Sequence, residues 1–186
     1  MTFPTERDDD GGMKIKIPHS IFACCAVAVL LVPFSRSEEY VSYTKVGQQV
    51  PSFSISDLEG KNFSTAVSKG KIVVLNFWAT WCPPCVTEMP RLENEVWKKY
   101  RGPGFEMIAI AREQTGKEIA EYRAKHGYTF PMASDPRREA YGKFANAGIP
   151  RNYVINRDGK ILFQSVGYSP DDFEKMKNIL EKELKR

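Results

Sequence analysis

Ile72-Val73-Val74-Leu75-Asn76-Phe77-Trp78-Ala79-Thr80-Trp81-Cys82-Pro83-Pro84-Cys85 is the stretch on which the fold turns. Ile72 to Phe77 is a nearly continuous apolar run rich in β-branched residues, which suits a strand buried on both faces of a sheet rather than one with a wet face. Beyond it, Cys85, Met89, Leu92 and Val96 recur at three- and four-residue spacing in a polar background and predict an amphipathic helix, with Pro90 bending it. A cysteine pair therefore falls where a central strand hands over to a helix. Cys82 sits at the helix N-terminus and Cys85 one turn in, on the same face.

That placement has chemical consequences. A free thiol with a pKa of ~8.5 is only about 3% ionised at pH 7, whereas unpaired N–H groups and the helix dipole lower a cysteine at a helix start to about 7 or below. Cys82 is then the nucleophile that attacks a disulfide, and Cys85 resolves the mixed disulfide that forms. Two other readings of the pair stand beside this one. A static disulfide is compatible with the spacing. A zinc site needs four ligands, and the body offers only His126 and scattered carboxylates besides this pair, so no metal is expected.

Working outward, Phe53 and Ile55 alternate with polar residues, and Asp57-Leu58-Glu59-Gly60-Lys61 supplies a turn before Phe63, which predicts a small hairpin followed by a short helix at 64–68. Gly102-Pro103-Gly104 breaks the chain, Phe105 to Ala111 reads as a second buried strand, and Lys117 to His126 as a second helix. A further short helix is predicted over 137–146. Tyr153-Val154-Ile155, the turn Asn156-Arg157-Asp158-Gly159 and Ile161 to Val166 then form an antiparallel hairpin, so the sheet is mixed. Ser169 as N-cap, Pro170 at the first helical position, Asp171 and Asp172 in the first turn and Lys182 near the end mark a closing helix.

Of the 186 residues 42% are hydrophobic and 27% charged, with a net charge of +4, an ordinary globular composition whose weak positive excess does not point to nucleic acid. Residues 1–37 form an appendage. Lys14 and Lys16 precede an apolar run from Ile21 to Val32, and Ser35 and Ser37 occupy the −3 and −1 places of a cleavage site before Glu38, so the segment reads as an export signal. The run is shorter than the ~20 residues of a membrane-spanning helix; an uncleaved N-terminal anchor is the alternative. The acidic Thr2–Gly12 stretch is foreign to such a signal, and a chain starting at Met13 would open Met-Lys-Ile-Lys. Cys24 and Cys25 read as apolar filler of that segment rather than as a lipid-attachment site, since only a few apolar residues precede them and bulky Phe22 sits two before Cys24.

Taken together, Val74 to Cys85, Glu88-Met89-Pro90, Gly148-Ile149-Pro150 and the Asn156-Arg157-Asp158-Gly159-Lys160 hairpin resemble, over residues 45 to 186, the exported TlpA/ResA-like thiol-disulfide oxidoreductases of the thioredoxin superfamily. The resemblance implies an α/β fold: a three-layer α/β/α sandwich with a central mixed sheet and an N-terminal β-hairpin, in a domain spanning 38–186. It makes Cys82, Cys85 and Glu88 the catalytic residues and places Trp81, Ile149, Pro150 and Arg151 around a bound substrate, with Pro150 in the cis form. The position where cytoplasmic thioredoxins hold a buried Asp is Asn76 here, which leaves Glu88 as the carboxylate for the cysteine pair. Read without the resemblance, Glu88 is a solvated helix-face residue, and Arg151 is either solvated or a positive charge near Cys82 that meets acidic substrates.

Pro83 and Pro84 bring neither charge nor N–H donors between the cysteines, which favours a reducing pair. The resemblance implies a monomer without a cofactor beyond the Cys82–Cys85 disulfide itself. It implies export to the periplasm or the outer face of the cytoplasmic membrane, a disulfide-bonded protein substrate such as apocytochrome c, and a membrane thiol transporter as electron donor. Two other functions remain open on the sequence. A peroxiredoxin-type thiol peroxidase would need a Pro-x-x-x-Thr/Ser-x-x-Cys loop where this chain has Trp78 through Trp81. A binding module would use the proline loop without redox turnover.

Overall fold

A computed structural model describes residues 39–186 except Val67 and Lys69. The export signal or anchor expected at 1–37, with Met13, Cys24 and Cys25, lies outside the described residues. The elements are β1 (Ser54–Ser56), β2 (Asn62–Ser64), β3 (Ile72–Trp78), α1 (Pro83–Arg91), a π-helical stretch Leu92–Trp97 running into α2 (Lys98–Tyr100), β4 (Phe105–Arg112), α3 (Gly116–His126), β5 (Met132–Asp135), a 3₁₀ turn Tyr141–Lys143, β6 (Arg151–Ile155), β7 (Ile161–Val166) and α4 (Pro170–Leu184).

Strand β3 is buried along its whole length and lies at the centre of a five-stranded sheet of order β5-β4-β3-β6-β7. It runs parallel to β4 and antiparallel to β6, and both its faces are covered, as its unbroken apolar run predicts. The period-two alternation then sorts its side chains. Ile72, Val74 and Trp78 enter a core with Met89, Leu92, Val96, Ile119, Phe173, Met176 and Leu180 from the helices. Val73, Leu75 and Phe77 enter a second core with Phe53 and Phe63 of the β1–β2 hairpin and with Tyr141, Phe144 and Tyr153. Phe77 meets the Tyr141 ring edge-on at 5.3 Å and the Phe144 ring at 5.0 Å. Truncating such a buried aromatic typically costs about 3–5 kcal/mol. The expected α/β fold with a central mixed sheet and an N-terminal hairpin is therefore present; of the three layers expected, the one opposite the helices is built by the hairpin and the 3₁₀ turn.

Several local expectations change. The helix predicted over 137–146 is reduced to the 3₁₀ turn, because the buried Asp135 carboxylate collects the N–H groups of Glu139 (2.7 Å), Ala140 (3.1 Å) and Tyr141 (2.8 Å) while Arg138 takes φ +59°. In place of the helix predicted at 64–68, the described residues form a turn in which Ser68 N–H donates to the Ser64 carbonyl at 2.9 Å. Strand β5 was not foreseen: Met132-Ala133-Ser134-Asp135 has no β-branched residue and gains its place by pairing with β4. Pro90 lies inside α1, and two residues later the helix passes into π geometry.

Candidate active site

Strand β3 delivers the chain through Ala79 and Thr80 into the cysteine motif, and the approach is clamped from the next strand's loop. Gln114 accepts the Thr80 N–H at 2.7 Å and donates to the Thr80 hydroxyl at 2.6 Å. Cys82 is the N-cap of α1, in extended conformation, and bonds to Cys85 with the Cα atoms 5.3 Å apart. Helix starts ordinarily expose four free N–H groups. Here Pro83 and Pro84 supply none, so the Cys82 sulfur accepts from Cys85 N–H at 3.3 Å. One donor, not several, thus faces the first sulfur. Both sulfurs are largely covered, Cys82 being 4% and Cys85 1% exposed, whereas neighbouring Trp81 stands 55% exposed.

The opposite wall is the loop before β6. The Ile149–Pro150 peptide is cis, as the sequence resemblance implied, and the Ile149 carbonyl oxygen lies 3.7 Å from Cys82 Sγ. Gly148 has φ +87°, and a Cβ there would come within 2.9 Å of Val166 and 3.3 Å of Tyr40, so only glycine fits without displacement. Tyr141 donates its hydroxyl proton to the Gly148 carbonyl at 2.9 Å.

Arg151 requires a correction. It is fully buried, and strand parity sends it with Tyr153 to the sheet face away from α1. Its guanidinium donates to the carbonyls of Ala147 (2.6 Å) and Gly148 (2.9 Å) and to the Ser42 hydroxyl (2.7 Å). It neither meets a substrate nor places a charge at Cys82. It holds the proline loop instead.

The same parity sends Asn152 toward α1, and the β3–β6 register sets it directly opposite Asn76. Glu88, one helical turn beyond Cys85, closes this group. It is 2% exposed, not solvated, and accepts from Asn152 Nδ2 at 2.6 Å and Asn76 Nδ2 at 3.2 Å, while Asn76 also donates to Asn152 Oδ1 at 2.8 Å. Burial pushes the Glu88 carboxyl up to about 8, the two amides and Arg91 opposing only part of that rise. A carboxyl that titrates near neutrality can both hold and release a proton at working pH. Asn152 and Gln114 were missed from the sequence. For Asn152 the signal was available in the alternation of β6 opposite the polar Asn76; for Gln114 there was none. Among the described residues no cluster of His, Cys, Asp and Glu side chains is arranged to hold a metal ion.

Comparison with known proteins supplies the context. Residues 46–164 match the AhpC/TSA family. The thiol-disulfide oxidoreductase ResA of Bacillus thuringiensis (strain Al Hakam) is 37% identical over 142 residues, 76% of this chain and 78% of that protein. The solution structure of a proposed protein disulfide isomerase from Bacteroides thetaiotaomicron superposes with a TM-score of 0.75 at 31% identity, covering 78% of this chain and 93% of that one. A thiol:disulfide interchange protein of the thioredoxin family from Chlorobium tepidum TLS superposes with a TM-score of 0.59 at 32% identity, over 73% and 97% of the two chains.

Proposed function

The chain belongs to the ResA family of thiol-disulfide oxidoreductases, and from that premise we propose that it works as an exported disulfide reductase. The observation that carries this reading is the Cys82–Cys85 disulfide at the start of α1, facing the cis-proline loop across 3.7 Å. In the reduced protein the Cys82 thiolate attacks one sulfur of a substrate disulfide, whose other sulfur leaves as a thiolate. Cys85 then loses its proton to Glu88 and attacks Cys82 Sγ, releasing the second substrate sulfur. Two electrons have moved to the substrate, and the protein is left with the Cys82–Cys85 disulfide. Trp81, Ile149 and Pro150 border the substrate chain.

Three features support the reducing direction. A low thiolate pKa stabilises the reduced form and raises the potential by about 30 mV for each pKa unit. Here a single N–H faces Cys82, because Pro83 and Pro84 donate none. Arg151 lies on the other face of the sheet; Arg112, over the Trp81 ring, shares the single Glu113 carboxylate (3.2 Å) with Arg138 (3.8 Å) and keeps part of its charge. Glu88, once ionised beside the pair, opposes thiolate formation further.

On this reading the tail 1–37 exports the domain 38–186 to the outer side of the cytoplasmic membrane, a membrane thiol transporter renews the dithiol, and the paired haem-binding cysteines of apocytochrome c are the substrate class. Reduced wild type should cleave an interchain protein disulfide, Cys82→Ala should lose roughly 10³-fold or more in rate, and Cys85→Ala should accumulate a mixed disulfide with the substrate. Full activity in Cys82→Ala would replace this reading with the non-redox binding module. A fusion of residues 1–37 to an export-dependent reporter tests the localisation, and an inactive, cytoplasmic fusion would refute it.

A further inference from the structure

We infer that Arg112 is a positioning residue of the redox site: its guanidinium fixes the Trp81 ring relative to the cis-proline loop and so sets the slot that an extended, disulfide-bearing polypeptide enters. The inference rests on the oxidoreductase reading, in which Trp81, Ile149 and Pro150 border the substrate chain, and adds the residue that ties those borders together.

Arg112 ends β4, and strand parity sends it with Ile108 and Ile110 to the sheet face that carries Tyr141. Its guanidinium carbon lies 5.5 Å from the centre of the Trp81 ring and 5.0 Å from that of Tyr141, both within cation–π range. Trp81 is joined to Cys82 by a peptide bond. Tyr141 is fully buried, meets Phe77 edge-on, and donates its hydroxyl proton to the Gly148 carbonyl at 2.9 Å. The Ile149 carbonyl oxygen of the same loop lies 3.7 Å from Cys82 Sγ. Contacts thus run from the cysteine motif through Trp81, Arg112, Tyr141 and Gly148 back to Cys82. Arg112 belongs to neither wall and links Trp81 to the residue that holds the loop.

The way Arg112 is held favours this role over a packing one. Its side chain is only 14% exposed, yet Nε and Nη1 find no hydrogen-bond acceptor among the described residues. Buried guanidinium groups are ordinarily satisfied by carbonyls or carboxylates, as that of Arg151 is by Ala147, Gly148 and Ser42. At Arg112 the Glu113 carboxylate supplies charge at 3.2 Å from Nε and divides it with Arg138, 3.8 Å away. The two aromatic rings supply the rest. A planar guanidinium that stays protonated can lie against both at once, which the point charge of a lysine cannot. Trp81 is 55% exposed, so the largely buried Arg112 is a contact that limits how its ring turns. Losing such a contact at a partly exposed ring corresponds to about a two- to fivefold drop in the population of the held orientation, and the apparent affinity for a substrate that needs this orientation falls with it.

The test uses the full chain in its reduced form, as wild type, Arg112→Gln and Tyr141→Phe, in single-turnover reduction of a disulfide carried by an extended peptide and of hydroxyethyl disulfide, which is too small to span both walls. Arg112→Gln should raise the half-saturating peptide concentration about two- to fivefold, while the limiting rate and the rate with hydroxyethyl disulfide stay at their wild-type values. Tyr141→Phe keeps the ring against Arg112 and cuts only the bond to Gly148, and should raise the same concentration about two- to tenfold. With fluorotryptophan incorporated, the Trp81 fluorine resonance, assigned with Trp81→Phe, should shift in Arg112→Gln. An unchanged half-saturating concentration in either variant, or an unmoved Trp81 resonance, overturns the inference. So does an equal loss on both disulfides, which would make Arg112 a structural residue or a charge acting on the cysteine pair. Should denaturant curves show that Arg112→Gln does not fold, Tyr141→Phe decides alone by the same criterion. A wild type that reduced neither disulfide would instead defeat the oxidoreductase reading itself, and the inference with it.

Discussion

Replacing Glu88 by Gln keeps the size of the side chain and removes its titration, so it separates a buried acid–base group from a space-filling one. The carboxyl is displaced from 4.5 to about 8 by burial. Below pH 4.5 it is protonated in both folded and unfolded chains and has no effect. Between pH 4.5 and 8 the folded oxidised protein retains a proton that the unfolded chain has lost, so stability falls as pH rises. At about 1.36 kcal/mol for each unit of pKa, the loss approaches roughly 4–5 kcal/mol by pH 8. A glutamine keeps the shape of the side chain, but its NH₂ group meets the Nδ2 donor of Asn76 or Asn152, so it is accommodated when the Asn76 amide turns to offer its unpartnered Oδ1 and gives up its bond to Asn152 Oδ1. The variant should therefore match wild type near pH 4 and become progressively more stable above it. The pairs that hold Glu95 and Glu181 near 2 stabilise throughout this range and lose that contribution only as pH falls below about 4.5, so they leave this window clear. Chemical denaturation of the oxidised proteins from about pH 4 to 8 measures the stability difference. Disulfide reduction followed from about pH 6 to about pH 10 should inflect near pH 8 in wild type, and the variant should lose that inflection with about 10² of the rate. Parallel stability curves together with an unchanged pH–rate profile would refute the assignment and leave the proton transfer to water.

Other outcomes follow from the same geometry. Asn152→Ala removes the larger hydrogen-bond contribution that holds the Glu88 carboxyl down, so the pH–rate inflection should move above 8, and a downward move would contradict the network. Gly148→Ala should destabilise the protein by about 1–3 kcal/mol, because φ is +87° and the new methyl group meets Val166 at 2.9 Å; denaturant midpoints give the answer. In the reduced protein, brief iodoacetamide treatment followed by peptide mapping should label Cys82 before Cys85, since only Cys82 caps the helix. Faster labelling of Cys85 would reverse their roles.

The central strand, the helix behind the cysteines, both hairpins and the closing helix were legible because each follows a strong local rule: an unbroken β-branched run, a 3.6-residue period, a Gly-containing turn, a Ser-Pro cap. Where the sequence misled, a tertiary contact outweighed the local pattern. The 137–146 segment has helical spacing, but the buried Asp135 carboxylate draws its N–H groups into a turn. Cys82, Cys85, Pro150 and Glu88 stand out by motif, yet the motif is silent on burial, and burial is what turns Glu88 from a surface charge into a group titrating near 8. Arg151 was misplaced for want of register. Once β6 pairs with β3 through Asn76 and Asn152, alternation alone sends Arg151 to the far face and Asn152 to Glu88.

The reduction potential of the Cys82–Cys85 pair, measured by equilibrating the full-length protein against glutathione or dithiothreitol couples, tests the central claim most directly. With one backbone donor at Cys82 and the Arg151 cation engaged on the opposite face, the pair should lie on the reducing side, below about −200 mV and towards the thioredoxin value of about −270 mV. A potential near about −120 mV, that of a strong oxidant, would contradict it.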